Sequence, residues 1–149
     1  MAATRSADVT WTGDLMSGSG VVTASSSCTF TNLPVSWASR TESPDGRTSP
    51  EELLAAAHAS CFAMALSGGL ARAGTPPNKL EVDATVTFDR VGGGWKVVSS
   101  SLMVRGQVPG IDAAGFKQAA ESAKDGCPIS QALKGNVNLS VEADMESTA

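Results

Sequence analysis

The chain has 149 residues, of which 42% are hydrophobic and 17% charged, a balance that suits a folded globular protein and excludes disorder. Fifteen acidic against eleven basic side chains leave a net charge of −4, and aromatic residues make up 5% with no Tyr; this argues against a nucleic-acid surface, an anionic-membrane surface or a base-stacking platform. The length predicts one domain, 1–149, large enough to bury a core without disulfide or metal staples.

In chain order, Met1 to Asp14 lacks the apolar core of a secretory signal, so a cytoplasmic protein is expected. Val9-Thr10-Trp11 and Gly20 to Phe30 predict strands, the second rich in Val, Thr and Ser and closed by the turn signal Asn32-Leu33-Pro34; Val35-Ser36-Trp37 predicts a third. Thr41 to Thr48, with Pro44, Asp45 and Gly46, predicts a loop. Ser49 then supplies an N-cap, Pro50 a first helical residue, and Glu52 the third-position acid of a capping box. The helix they start is apolar on nearly every face and is expected to be central and enclosed. Its stretch Leu53 to Ala71 is about the length of a membrane span. It is mostly Ala, however, with His58, Ser60, Ser67 and the pair Gly68-Gly69, so a core helix fits better than an inserted one.

Leu80, Val82, Ala84, Val86 and Phe88 alternate with polar residues, which predicts a strand with one dry face. Gly92-Gly93-Gly94 turns it into a second strand, Trp95 to Gln107, forming a hairpin. Asp112 caps a helix from Ala113 to Asp125, Gly126 stops it, Pro128 to Lys134 predicts a short helix, and Val137, Leu139, Val141 and Ala143 mark a last strand. The order predicts an α+β fold with a mainly antiparallel sheet around the long apolar helix, in place of an alternating βα pattern.

Of the three cysteines, Cys61 lies inside the apolar helix, where a free thiol can be a small hydrophobe or a nucleophile. Cys127 stands between Gly126 and Pro128, at the N-cap of the short helix, where backbone N–H groups and the helix dipole favour a thiolate. Cys28, among Ser and Thr residues, is read as a packing or surface thiol. Their odd number and the missing signal fit a reducing cytoplasm. His58 precedes Cys61 by three residues and shares its helix face. It can be a satisfied core histidine, a base for Cys61 in a hydrolase or acyl transferase, or a metal ligand. The set His58, Cys61 and Cys127 is thin for zinc, and no metal is expected. A redox-silent binding module is the third alternative.

The run Ser49-Pro-Glu-Glu-Leu-Leu-Ala-Ala-Ala-His-Ala-Ser-Cys61-Phe62-Ala-Met-Ala-Leu66 resembles the nucleophile helix of the osmotically inducible and organic hydroperoxide resistance (OsmC/Ohr) peroxidases. Val108-Pro-Gly-Ile-Asp112 and Gly126-Cys127-Pro-Ile-Ser-Gln-Ala-Leu133 are similar to the second-cysteine region of the same family, and Trp11-Thr-Gly-Asp14 also fits. His58 in place of an aromatic residue points to the OsmC branch. The resemblance implies an intertwined homodimer that reduces organic hydroperoxides by cysteine chemistry without a cofactor. It implies a peroxidatic Cys61, a resolving Cys127, an acidic Glu51, and an activating arginine for which Arg40 is the match and Arg47 the competitor. It also implies resetting by a dithiol reductant of the dihydrolipoyl type. Glu51 and Cys61 are ten residues apart on one helix, a rise of about 15 Å. If both serve one site, Glu51 comes from a partner packed antiparallel.

Overall fold

The computed structural model describes residues 1–146; the last three residues of the expected domain 1–149 lie outside the described residues. The chain divides into two compact units, 1–53 and 54–149, each described by itself.

The first unit is a three-stranded antiparallel sheet in the order β1 (Asp8–Thr12), β2 (Ser19–Thr23), β3 (Leu33–Val35), followed by a short helix α1 (Trp37–Thr41). Asp14 shapes the first turn: its carboxylate accepts from the Ser17 amide and hydroxyl, each at 2.8 Å, bonds that hold it below the usual carboxylate range. The strand expected over Gly20 to Phe30 ends at Thr23. Beyond it the chain coils back, Cys28 N–H donating to Ala24 O at 2.8 Å, with Cys28 at φ 57°. Local Ser and Thr bonding competes there with the ladder. Trp37 likewise leaves the expected third strand, because Ser36 and Ser39 form a reciprocal capping box that starts α1. All of β1 is exposed. Val9, Trp11, Leu15, Val22, Val35, Trp37 and Leu53 line an apolar cavity of about 340 Å³ in this unit, with Arg40 also on its wall.

Helix α2 (Pro50–Arg72) crosses from one unit to the other. Ser49 caps it, its hydroxyl accepting from the Glu52 amide at 3.1 Å, while the Glu52 carboxylate accepts from Thr48 instead of closing the box. Gly68 and Gly69 do not interrupt the helix. The second unit continues with β4 (Lys79–Val91), β5 (Gly94–Gln107), α3 (Ala113–Gly126), α4 (Pro128–Leu133) and β6 (Asn138–Met145). Gly92 and Gly93, at φ 58° and 86°, supply the positive dihedrals that a tight hairpin turn needs. The sheet order is β4-β5-β6, with β4 and β5 antiparallel and β6 parallel to β5. The parallel pairing follows from the helical crossover through α3 and α4, which returns the chain in the direction it left. The fold is thus α+β, mainly antiparallel, with one long apolar helix.

The core of the second unit joins Phe62, Leu66 and Leu70 of α2 to Leu102 and Val104 of β5, Phe116, Ala120 and Ala123 of α3, Cys127, and Ala143 of β6. The enclosure of α2 differs from expectation. Only the stripe His58, Phe62, Leu66 and Leu70 is buried along this part of the helix, at four-residue spacing, and Met64 on the other side is 74% exposed. By length and composition α2 could cross a bilayer, yet this stripe is seated in a protein core. One face of α2 is covered, while Ala56, Ser60 and Met64 on another stay exposed.

Gly106 shows how tight the core is. A Cβ there would lie 2.5 Å from Phe116 Cζ and 2.9 Å from its Cε2, and Phe116 is fully buried. Gly106→Ala is expected to destabilise the protein by about 1–3 kcal/mol through overpacking. The measurement is urea unfolding, where the midpoint should fall while the slope stays constant.

Candidate active site

Cys61 sits on α2 one turn after His58 and is half-buried. Cys127 is fully buried at the junction of α3 and α4. Gly126 ends α3, the Cys127 amide donates back to Ala123 O at 2.8 Å, and Pro128 opens α4 with Cys127 as its N-cap. These local signals bring together two sulfurs 66 positions apart: Cys61 Sγ and Cys127 Sγ share a hydrogen bond at 2.9 Å. Both are free thiols. A disulfide needs about 2.05 Å, so closure is a movement on the order of 1 Å.

The two thiols are held differently. Burial, and then the hydrogen bond with Cys127, push the Cys61 thiol up, with only the Ile129 backbone pulling it down. Burial also pushes Cys127 up, but its bond to Cys61, the Ser130 amide and hydroxyl and the Ile129 amide outweigh this and bring it down. Cys127 makes no formal capping hydrogen bond; it is the start of α4 as a whole that favours its anion. The expected anionic Cys61 needs a cation that the effects acting on it here do not include.

His58 is fully buried. Its Nδ1 meets Ser100 Oγ at 2.6 Å and its Nε2 meets Ser130 Oγ at 2.7 Å. Both ring nitrogens are thus engaged, neither is directed at Cys61, and the Cys61–His58 dyad of a hydrolase is not formed. Burial pushes its pKa down. Ser100 and Ser130 were not singled out by the sequence reading. A signal for Ser100 existed: it shares the dry face of β5 with Leu102 and Val104, where a hydroxyl needs a partner. Ser130, on a six-residue helix, gave none.

Arg40 and Glu51 belong to the first unit and meet there. Arg40 Nε donates to both carboxylate oxygens, at 3.0 and 3.1 Å, and Nη2 donates to Oε1 at 2.8 Å. Glu51 is buried and the Arg40 side chain is 30% exposed. The pairing depends on α1, which the sequence reading missed: Ser36 caps it, and Arg40 falls in its last turn with its guanidinium 5.9 Å from the Trp37 ring centre. Arg47 is exposed in the loop between α1 and α2 and is not part of this pair. Cys28 is exposed, in a turn. Among the described residues no group of three or more His, Cys, Asp or Glu side chains could hold a metal ion.

Comparison with known proteins identifies the family of the chain. The OsmC family profile (OsmC-like protein) matches residues 43–142. The chain is 41% identical over 129 residues to Peroxiredoxin OsmC of Escherichia coli, covering 87% of this chain and 89% of that one. It is 32% identical over 95 residues to the Organic hydroperoxide resistance protein of Xanthomonas axonopodis pv. citri, covering 63% of this chain and 65% of that one. Among solved structures, the Organic Hydroperoxide Resistance Protein OhrB of Bacillus subtilis has the same fold, with a TM-score of 0.74 at 24% identity over 93% of this chain and 98% of that one. The family match spans both cysteines, His58 and Glu51, and the chain belongs to the OsmC-like family.

Proposed function

We propose that this protein is a cysteine peroxidase that reduces organic hydroperoxides to alcohols. The observation that carries this is the approach of Cys61 and Cys127 to 2.9 Å from distant parts of the chain; the relatives named for peroxiredoxin activity and hydroperoxide resistance support it. Cys61 as thiolate attacks the distal peroxide oxygen, the O–O bond breaks, and the alkoxide leaves and is protonated to the alcohol. Cys61 becomes a sulfenic acid. The Cys127 sulfur then attacks Cys61 Sγ, the S–O bond breaks, water leaves, and a Cys61–Cys127 disulfide remains. A dithiol of the dihydrolipoyl type reduces it and is itself oxidised to a disulfide, in a reducing cytoplasm.

The active unit in this reading is a homodimer with two composite sites. Glu51 and Cys61 lie ten residues apart on α2, about 15 Å along a straight helix, so the Arg40–Glu51 pair serves Cys61 from a second copy. The open apolar face of α2, with Met64, and the exposed apolar side chains of β1 are the surfaces that this copy covers. In the assembled site Arg40 stabilises the Cys61 thiolate and Glu51 holds the guanidinium.

The test is peptide mapping by mass spectrometry after one equivalent of cumene hydroperoxide. A Cys61–Cys127 disulfide, reversed by a dihydrolipoyl reductant, is the expected product; unjoined sulfurs after peroxide consumption would remove the reading. Cys127→Ser is expected to consume one equivalent of hydroperoxide in forming the Cys61 sulfenic acid, then about one more as excess peroxide drives it to sulfinic acid, and then to stall. Sustained turnover in that variant would exclude Cys127 as the resolving thiol.

A further inference from the structure

The peroxidase reading leaves the single histidine of the chain without a task, although it occupies a fully buried position and bonds through both ring nitrogens. A neutral imidazole offers one donor and one acceptor nitrogen. The hydrogen bonds around His58 therefore have two consistent directions. In one, Nε2–H donates to Ser130 Oγ and Nδ1 accepts from Ser100; the Ser130 proton is then free to point at Cys127, whose anion the Ser130 hydroxyl favours. In the other, the Cys127 thiol donates to Ser130, the Ser130 hydroxyl donates to Nε2, and Nδ1–H donates to Ser100. The first arrangement suits a thiolate at Cys127 and the second a thiol.

Cys127 is fully buried, as are His58 and Ser100, and Ser130 is 1% exposed. Bulk water cannot take the Cys127 proton directly, yet disulfide closure needs that proton to leave and disulfide reduction needs one to return. From β5 His58 faces Ser100, and from α4 it faces Ser130 with Cys127 beyond. Cys61 lies one turn further along the helix that carries His58. Burial disfavours the His58 imidazolium and favours the neutral ring at rest.

We propose that His58 is a positioning residue for the resolving thiol: through the Ser130 hydroxyl it accepts the Cys127 proton as the disulfide closes and returns one when the disulfide is reduced, with Ser100 steadying the ring. This rests on the peroxidase reading above. In the forward step the Cys127 proton passes to Ser130 while the Ser130 proton passes to Nε2, leaving a thiolate, a neutral serine and an imidazolium. The thiolate pair forms the S–S bond, and the Cys61 S–O bond breaks. The departing hydroxide takes one proton and the imidazolium releases one, so sulfenic acid and thiol become disulfide and water with His58 unchanged.

The experiment is stopped-flow oxidation of the full-length protein by cumene hydroperoxide, with Cys61 oxidation and disulfide closure followed as separate phases across pH. His58→Gln keeps a donor toward Ser130 and loses the base. It is expected to slow closure by about tenfold or more at neutral pH while slowing Cys61 oxidation by less than about twofold. Closure in the variant should accelerate with rising pH as Cys127 titrates by itself. Ser130→Ala removes only one hydroxyl and is the second variant should His58→Gln fold poorly; it should reproduce the defect, and Ser130→Thr should restore the rate. Closure rates and pH profiles unchanged in His58→Gln and Ser130→Ala would overturn the inference, as would equal slowing of both phases, which marks a merely structural role. A wild-type protein that forms no Cys61–Cys127 disulfide would instead overturn the peroxidase reading itself.

Discussion

Cys61→Ser is expected to lower hydroperoxide reduction at least about a thousandfold, in line with the loss of a catalytic nucleophile elsewhere, while leaving the fold unchanged. The substitution is close to isosteric, and Cys61 is only half-buried, so little packing is at stake. What is lost is ionisation. A free thiol is roughly 3% thiolate at neutral pH, whereas a serine hydroxyl is not ionised and needs an adjacent base to act. None is available from His58, because Ser100 and Ser130 occupy both of its nitrogens. The measurement is loss of cumene hydroperoxide with a dithiol in excess, with circular dichroism as the check on folding. Cys28→Ser, at an exposed turn, should keep full activity. Peroxide turnover that survives in Cys61→Ser would transfer the nucleophile to another residue.

Arg40→Ala is expected to raise the pKa that governs Cys61 reactivity and to slow oxidation severalfold at neutral pH. Burial and the bond to Cys127 both oppose the Cys61 anion. A tenfold change in ionisation takes about 1.4 kcal/mol, and one guanidinium about 4 Å away supplies on the order of 4 kcal/mol at an effective dielectric of 20. One arginine is enough. Losing it would cut the thiolate fraction at neutral pH, but a more basic thiolate is a better nucleophile, which returns part of the loss. The sign is therefore specific: the defect is largest at and below neutral pH and fades as the solution becomes alkaline. Glu51→Gln should give a smaller shift in the same direction, since the guanidinium stays but loses its bidentate anchor. Arg47→Ala should leave the profile where it is. If Arg47→Ala moves it and Arg40→Ala does not, the assignment of the activating arginine is reversed. The rate of Cys61 alkylation by iodoacetamide against pH reads the same ionisation without peroxide.

How far the sequence could be read depended on the distance over which each feature is encoded. The hairpin of β4 and β5, the cap at Ser49, the cap at Asp112 and the break at Gly126 and Pro128 are written in windows of a few residues, and the structure has them where they were expected. The failures came where two local signals competed. The segment after Thr23 has the composition of a strand but folds back on its own backbone, and Ser36 opens a helix that the preceding residues did not announce. That short helix carries Arg40, so a small error in local structure concealed how the Arg40–Glu51 pair is built.

The sequence by itself determined the α+β class, the long apolar helix, and the family motifs around Cys61 and Cys127, because periodicity, caps and motifs act over one or two turns of chain. Only the tertiary structure decided that two sulfurs 66 positions apart meet at 2.9 Å, that β6 runs parallel to β5, that α2 covers one face and leaves the other open, and that His58 is spent on Ser100 and Ser130 instead of Cys61. Each of these is a juxtaposition of distant segments. It is set by which apolar surfaces pack together and by the requirement that every buried polar atom find a partner, and neither condition can be evaluated within a short stretch of residues.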